Sequence, residues 1–177
     1  VLVQIESLAS QMGYMTIVET IDSPFNENIA NIIAKFKSVL VEGLIAIAPR
    51  VGLSEILYQY SDCFPMMLIS TQQTTSIPSV CENQYQATKN IIQLLYDSGH
   101  TAIWHLAGSQ DWFDEKIRYQ AWHDFVETHK LDNSSHIIQC TWEAQSAYDA
   151  IINENLNIKP DAIFAASDNL AIAAMSA

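Results

Sequence analysis

The sequence predicts an α/β protein of two lobes, each a parallel sheet flanked by helices, with a cleft between them. Three observations carry this. Helix-like and strand-like apolar patterns alternate from end to end. The strand-like pieces are short, continuous apolar runs (residues 43–48, Met66–Ile69, 102–107 and Ala162–Ala165), the kind that a parallel sheet buries on both faces. A polar, helix-poor stretch at 70–79 (STQQTTSIPS) separates two βα series.

The elements follow in order. Val1, Ile5, Leu8, Ala9 and Met12 share one face of a first helix, and Gly13 stops it. Residues 14–19 read as a strand. Ser23-Pro24 reads as a helix start, with Ser as cap and Pro in the first helical position. Ile29, Ile32, Ile33, Phe36, Val39 and Leu40 then recur at helical spacing. The strand at 43–48 is followed by a turn at 49–52, a short helix at 54–61 and the strand Met66–Ile69. Beyond the connector come helix 83–97, strand 102–107, helix 114–130, strand 136–139, helix 142–155, strand Ala162–Ala165 and a helix from Asp168 onward. The chain reads as part of a longer polypeptide, since Val1 lies inside a helical pattern and Ala177 interrupts a helix barely begun.

Of the 177 residues, 49% are hydrophobic and 16% charged, a balance that supports a packed core. No apolar run approaches the roughly 18 residues that span a bilayer. The net charge is −12, and the 8 Lys and Arg residues form no cluster. These residues therefore do not supply the cations that nucleic-acid phosphates require. Cys63, Cys81 and Cys140 are far apart and odd in number, which fits free thiols in a reducing cytosol.

No nucleophile motif, phosphate cradle or HExxH frame is present, so the chain reads as a non-enzyme with neither cofactor nor metal. His100 follows Gly99 at a helix end and reads as a cap, and His123 and His129 read as a solvated face. The segment from Gly99 to Gly108 is a helix end, a buried strand and a strand-end glycine. Asp111, Trp112, Arg118 and Trp122 follow it. That puts a guanidinium and indoles at the carboxyl end of a strand, where open α/β sheets bind ligands. A fork of donors suits hydroxyls and a flat indole suits C–H faces, so the residues suit a sugar.

Arg118, near a helix start where a cation is disfavoured, reads as a ligand contact ahead of a surface ion pair with Asp114 or Glu115. Asp111 is open between an acid/base role and a turn; Asp114 reads as a helix cap. Asp168 reads as a cap that also faces the cleft, with Ser167 before it. Trp112 in a loop and Trp142 at a strand–helix junction are better cleft residues than Trp122, which reads as core.

Three segments in order carry a resemblance: Gly43-Leu44-Ile45; Gly99-His100-x-x-Ile103-x-x-Leu106-Ala107-Gly108 with Arg118 and Ala121-Trp122-His123; and Phe164-x-Ala166-Ser167-Asp168-Asn169-x-Ala171-x-Ala173-Ala174-Met175. They resemble the effector-binding core of the LacI/GalR family of bacterial transcriptional regulators. The resemblance implies two periplasmic-binding-protein-like lobes hinged around a small effector, usually a sugar. The N-terminal lobe would be residues 1–82 without its first strand, and the incomplete C-terminal lobe residues 83–177. By position, Arg118 matches the arginine that grips sugar hydroxyls and Trp142 an aromatic lining the pocket. Ser167 and Asp168 occupy the family's Asn-Asp site, and Ser70 stands where relatives carry an acidic contact. Asp111-Trp112-Phe113 is similar to a subgroup of which some members respond to galactosides.

The resemblance further implies a cytoplasmic homodimer that holds operator DNA through a helix-turn-helix absent from this chain. The apolar face of the first helix is open between a dimer contact and core packing. Departures from the family pattern are Ser167 for Asn, Ser70 for a carboxylate, and Asn83 near a usual Asp. A secreted solute-binding protein of a sugar transporter shares this fold and is the alternative.

Overall fold

The computed structural model describes residues 1–21, 25–71, 75–154 and 159–177, with the side chains of Phe25 and Asn26 excepted. Its helices are α1 (Leu2–Gln11), α2 (Phe25–Ser38), α3 (Leu53–Tyr58), α4 (Gln84–Asp97), α5 (Phe113–Thr128), α6 (Ala144–Asn153) and α7 (Asp168–Ser176). Its strands are β1 (Leu44–Ile47), β2 (Met66–Ile69), β3 (Ser79–Val80), β4 (Ile103–Ala107), β5 (Ile137–Gln139) and β6 (Ala162–Ala165). They form two three-stranded sheets, in orders β1-β2-β3 and β5-β4-β6, and every pairing is parallel.

The second sheet is covered on both faces. Successive side chains of β4 point to opposite sides. Ile103 joins Ile92, Trp122, Phe125, Val126 and Phe164 on the side of α4 and α5. Trp104 and Leu106 join Ile138, Ala147, Leu170 and Ala173 on the side of α6 and α7. All five residues of β4 are buried. Helix α4 opens on Asn83, whose Oδ1 accepts the Gln86 N–H at 3.0 Å. It closes with His100 N–H on the Leu95 carbonyl and Gly99 N–H on the Tyr96 carbonyl, with Gly99 at φ +97°. This is the double bond of a Schellman end, which needs a left-handed residue. The backbone of His100 therefore does the capping, and its imidazole faces Asp161 at 3.8 Å. The Asp161 carboxylate takes the N–H groups of Thr101 and Ala102, which aligns the starts of β4 and β6.

The first sheet is covered on one face. Ile29, Ile33 and Phe36 of α2 and Leu53 and Leu57 of α3 pack with Ala48, Phe64, Leu68 and Ile77. Ile45 and Ile47 point the other way and are 50% and 43% exposed, so the run at 43–48 is not buried on both faces.

Other expectations are also corrected. Residues 14–19 form no strand: they run outside both sheets, without the partner a strand requires, and Met15 is almost fully exposed. No residue of α1 is fully buried, and Ile5 and Ala9 of its apolar face are half-buried. Helix α2 ends at Ser38 because Leu40 adopts φ +56°, which leaves Val39 and Leu40 exposed. The connector contains β3, a pairing partner of β2. Helix α6 starts two residues after Trp142. Ser23-Pro24, Asn155 and Gln72 to Thr74 of the connector lie outside the described residues. His129 is half-buried, stacked on Phe125 with ring centroids 3.9 Å apart.

Candidate functional site

Of the residues singled out by the sequence, Arg118, Ser167, Asp168, Asp111, Trp112 and Trp142 lie at or beyond the carboxyl ends of β4, β5 and β6 in two groups, and Ser70 lies in the other sheet. The first centres on Arg118, on α5, whose side chain is only 21% exposed. Its Nη1 donates to the Ala166 carbonyl at 2.6 Å and its Nε to Gln84 Oε1 at 3.0 Å. These acceptors, with Asp114 Oδ2 at 4.0 Å from Nη2, offset the unfavourable placing of a cation near a helix start. The contact with Ala166 sets the guanidinium on the carbonyl that directly precedes Ser167 and Asp168 in the chain. Ser167, not Asp168, caps α7, and its Oγ accepts the Leu170 N–H at 3.4 Å. Asp168 is the first residue of α7 and is exposed.

Asp114 is corrected in the same way. Trp112 occupies the cap position of α5, and Asp114 lies in the first turn. Its Oδ1 is buried with no hydrogen-bond partner among the described residues. Burial pushes its pKa up, opposed by the Arg118 charge and reinforced by Glu82.

The second group is aromatic. Gly108 follows β4, and a Cβ on it would meet the Trp142 ring at 2.6–2.7 Å. Only glycine therefore lets the indole lie across the end of the strand. Trp142 meets Trp112 edge-to-face, with centroids 5.6 Å apart. The loop carrying Trp112 joins the turn after β1. Val51 N–H donates to the Asp111 carbonyl at 2.9 Å and Phe113 N–H to the Pro49 carbonyl at 2.8 Å. The Arg50 guanidinium lies 5.0 Å from the Trp112 ring centre, with Nη1 3.3 Å from Asp111 Oδ2. Asp111 is thus a turn residue and an ion-pair partner. A cavity of about 320 Å³ opens here, lined by Arg50, Ser109, Trp112, Thr141, Trp142 and Glu143. The indole N–H groups of Trp112 and Trp142 are buried and lack acceptors among the described residues.

Ser70 ends β2 in the first sheet. It adopts φ +60°, and its N–H donates to Val80, which keeps it within its own sheet. Trp122 is core, as its spacing predicts, and donates to the Ile103 carbonyl.

Sequence reasoning missed Arg50, Gln84 and a buried pair beneath the site. His105 and Glu115 are both fully buried. His105 Nδ1 faces the Phe164 carbonyl at 3.1 Å, which requires a proton on that nitrogen. Nε2 is 2.9 Å from Glu115 Oε1, so one proton lies between them. The pair ties the first turn of α5 to the central strand, one turn before Arg118. Glu115 falls seven residues before Trp122, on the buried stripe of the helix, and that spacing was the available signal.

Among the described residues no group of three or more His, Cys, Asp or Glu is placed to hold a metal ion. Among the described residues no helix is long and apolar enough to cross a membrane.

Over residues 1–177 the sequence matches the family described as periplasmic binding proteins and sugar binding domain of LacI family. No curated protein matches it. Among solved structures, an uncharacterized protein from Actinobacillus succinogenes superposes with TM-score 0.88 at 22% identity, covering 97% of this chain and 64% of that one. A LacI transcriptional regulator from a Rhodococcus species gives 0.83 at 17% identity, covering 99% and 65%. The lac repressor dimer bound to operator and the anti-inducer ONPF gives 0.86 at 21% identity, covering 99% and 62%. The chain thus spans less than two thirds of the length of these relatives. Motif order, sheet topology and the match over all 177 residues agree, and the chain belongs to the family of periplasmic binding proteins and LacI-family sugar-binding domains.

Proposed function

We propose that the chain is the effector-sensing core of a transcriptional regulator, with lobes at residues 1–82 and 83–177 and a sugar held in the cleft between them. The observation that carries this reading is the contact of Arg118 with the Ala166 carbonyl. It sets the guanidinium at the end of β6, on the carbonyl that precedes Ser167 and Asp168, while Trp142 lies across the end of the neighbouring β4. Hydroxyls would meet the fork and the carboxylate, and a C–H face would meet the indole. Asp111 and Trp112 border the same cleft, and Ser70 is its contribution from the first lobe.

In the whole protein, a cytoplasmic homodimer, operator DNA would be held by a separate domain. The sugar would act by binding one lobe arrangement more tightly than the other, because equal affinity for both shifts nothing. The acidic charge of this core fits that division of labour.

The test is operator binding by the full-length protein with and without a panel of galactosides, glucosides and pentoses. One sugar class should change operator affinity, and Arg118→Ala should abolish the response while operator binding persists. If no sugar affects the complex, the reading fails. The family also contains solute-binding proteins. Sugar binding without any operator affinity would favour that second reading.

A further inference from the structure

The His105–Glu115 pair is not what stability alone would place in a core. Both side chains are fully buried. One carboxylate oxygen, Glu115 Oε2, is buried with no hydrogen-bond partner among the described residues. Apolar side chains of similar volume often match or exceed the stability of such a buried pair. What they do not supply is direction.

The pair has three fixed ends. His105 belongs to β4; its Nδ1 donates to the Phe164 carbonyl of β6 at 3.1 Å, and its Nε2 meets Glu115 Oε1 of α5 at 2.9 Å. The imidazole is stacked on the Phe164 ring, with centroids 4.9 Å apart and planes 21° apart. Its two nitrogens lie in the ring plane at a fixed angle, so the pair sets both the distance and the direction from α5 to β6. Arg118 spans the same two elements. It follows Glu115 by three residues on α5 and grips the carbonyl of Ala166, two residues after Phe164. The buried link and the guanidinium contact therefore run in the same order between the same helix and strand.

Glu115 also stands midway between Trp112 and Arg118, three residues from each, which is neighbour spacing on a helix. Helix α5 opens on Trp112 without a side-chain cap, and Glu115 holds its first turn from beneath. The Trp112 carbonyl accepts the Lys116 N–H at 3.2 Å, so the loop carrying the indole moves with that turn.

We propose that His105 and Glu115 are positioning residues for the effector: the buried hydrogen bond between them aims Arg118 and Trp112 without touching the ligand. This rests on the sugar-sensing reading. Without the bond, the first turn of α5 is free to adopt several placements over the sheet, and binding must then pay for ordering the guanidinium.

The test is calorimetric titration of the full-length protein with lactose, methyl β-galactoside, maltose, methyl α-glucoside, arabinose and ribose. The thermal transition of each variant is recorded alongside. The double variant His105→Leu/Glu115→Leu fills the same space, so it should unfold cooperatively near the parent's transition. It should nevertheless bind the tightest of these sugars at least about ten-fold more weakly. Glu115→Met, close to glutamate in length but unable to hold the imidazole, is the second probe and should weaken binding as much. Glu115→Gln can donate an amide N–H to Nε2 and should bind within about three-fold of the parent.

Parental affinity in a folded double-leucine or Glu115→Met variant overturns the positioning role; if Arg118→Ala still weakens binding, the sugar site stands. Glu115→Gln as weak as Glu115→Met also overturns it, because the hydrogen bond is then not what sets the affinity. Absence of binding by every sugar in the parent overturns the sugar-sensing reading and the positioning role with it.

Discussion

β1 and β4 are both short apolar strands set between helices, yet β4 is buried at all five positions whereas Ile45 and Ile47 of β1 stand about half exposed. The residues themselves do not explain the difference. α4 and α5 cover one face of the second sheet and α6 and α7 the other. The first sheet has α2 and α3 on one face, and α1 contributes no buried residue to either. A continuous apolar run therefore reports what a strand is suited to, while burial depends on elements distant in sequence. The Arg118 and Trp112–Trp142 groups gather on the doubly covered sheet, where a rigid support holds their geometry; Arg50 and Ser70 stand on the first.

The largest expected effect lies beneath the site. Glu115→Ala strands the His105 imidazole in a dry interior and should cost about 3–5 kcal/mol in chemical denaturation. Replacing both residues by leucine should recover much of that. A loss near zero for Glu115→Ala would mean that water reaches the underside of α5. The next prediction addresses the comparison directly. Leu106→Ala, fully buried in β4, should cost about 2–5 kcal/mol. Ile45→Ala in β1 should cost less than half as much, because a half-exposed side chain has removed less area from water. Equal costs would show that the outer face of β1 is covered in solution.

The smallest effect concerns Asp114. Burial raises its pKa above the ordinary 3.8. The folded state therefore holds the proton more tightly than the unfolded chain. The resulting deficit in stability is present at neutral pH and shrinks as the pH falls through the raised value toward 3.8. Asp114→Asn should be slightly more stable than the parent at pH 7, with a flatter stability profile over that window. An unchanged profile would remove Asp114 from the buried wall of the site.

What could be read from the sequence was local. β2 and β6 fall on the predicted residues, and α4 covers the expected helix at 83–97 with Asn83 as its cap. Gly108, Arg118 and Trp142 were legible because a strand-end glycine, a cation at a helix start and an indole at a junction are each unusual by themselves. Pairing was not legible. The strand expected at 14–19 needed a neighbour, β3 exists only as a partner of β2, and Arg50 meets Asp111 across 61 positions of chain. His105 and Glu115 each look ordinary until the fold brings them to 2.9 Å. The Asp114 and Asp168 expectations failed by one or two residues: Ser167 caps α7 with its hydroxyl, and Trp112 stands at the cap position of α5 without a side-chain hydrogen bond.

The most direct measurement is a tryptophan-fluorescence titration of the full-length protein with the same sugars, in parallel with Arg118→Ala. Trp112 and Trp142 border the cavity and should report its occupancy. The account predicts a saturable change with one sugar class, and an affinity lower in Arg118→Ala by about 1–3 kcal/mol, the range for a lost hydrogen bond to a charged group. A saturable change that Arg118→Ala leaves untouched, or no response to any sugar, would contradict it.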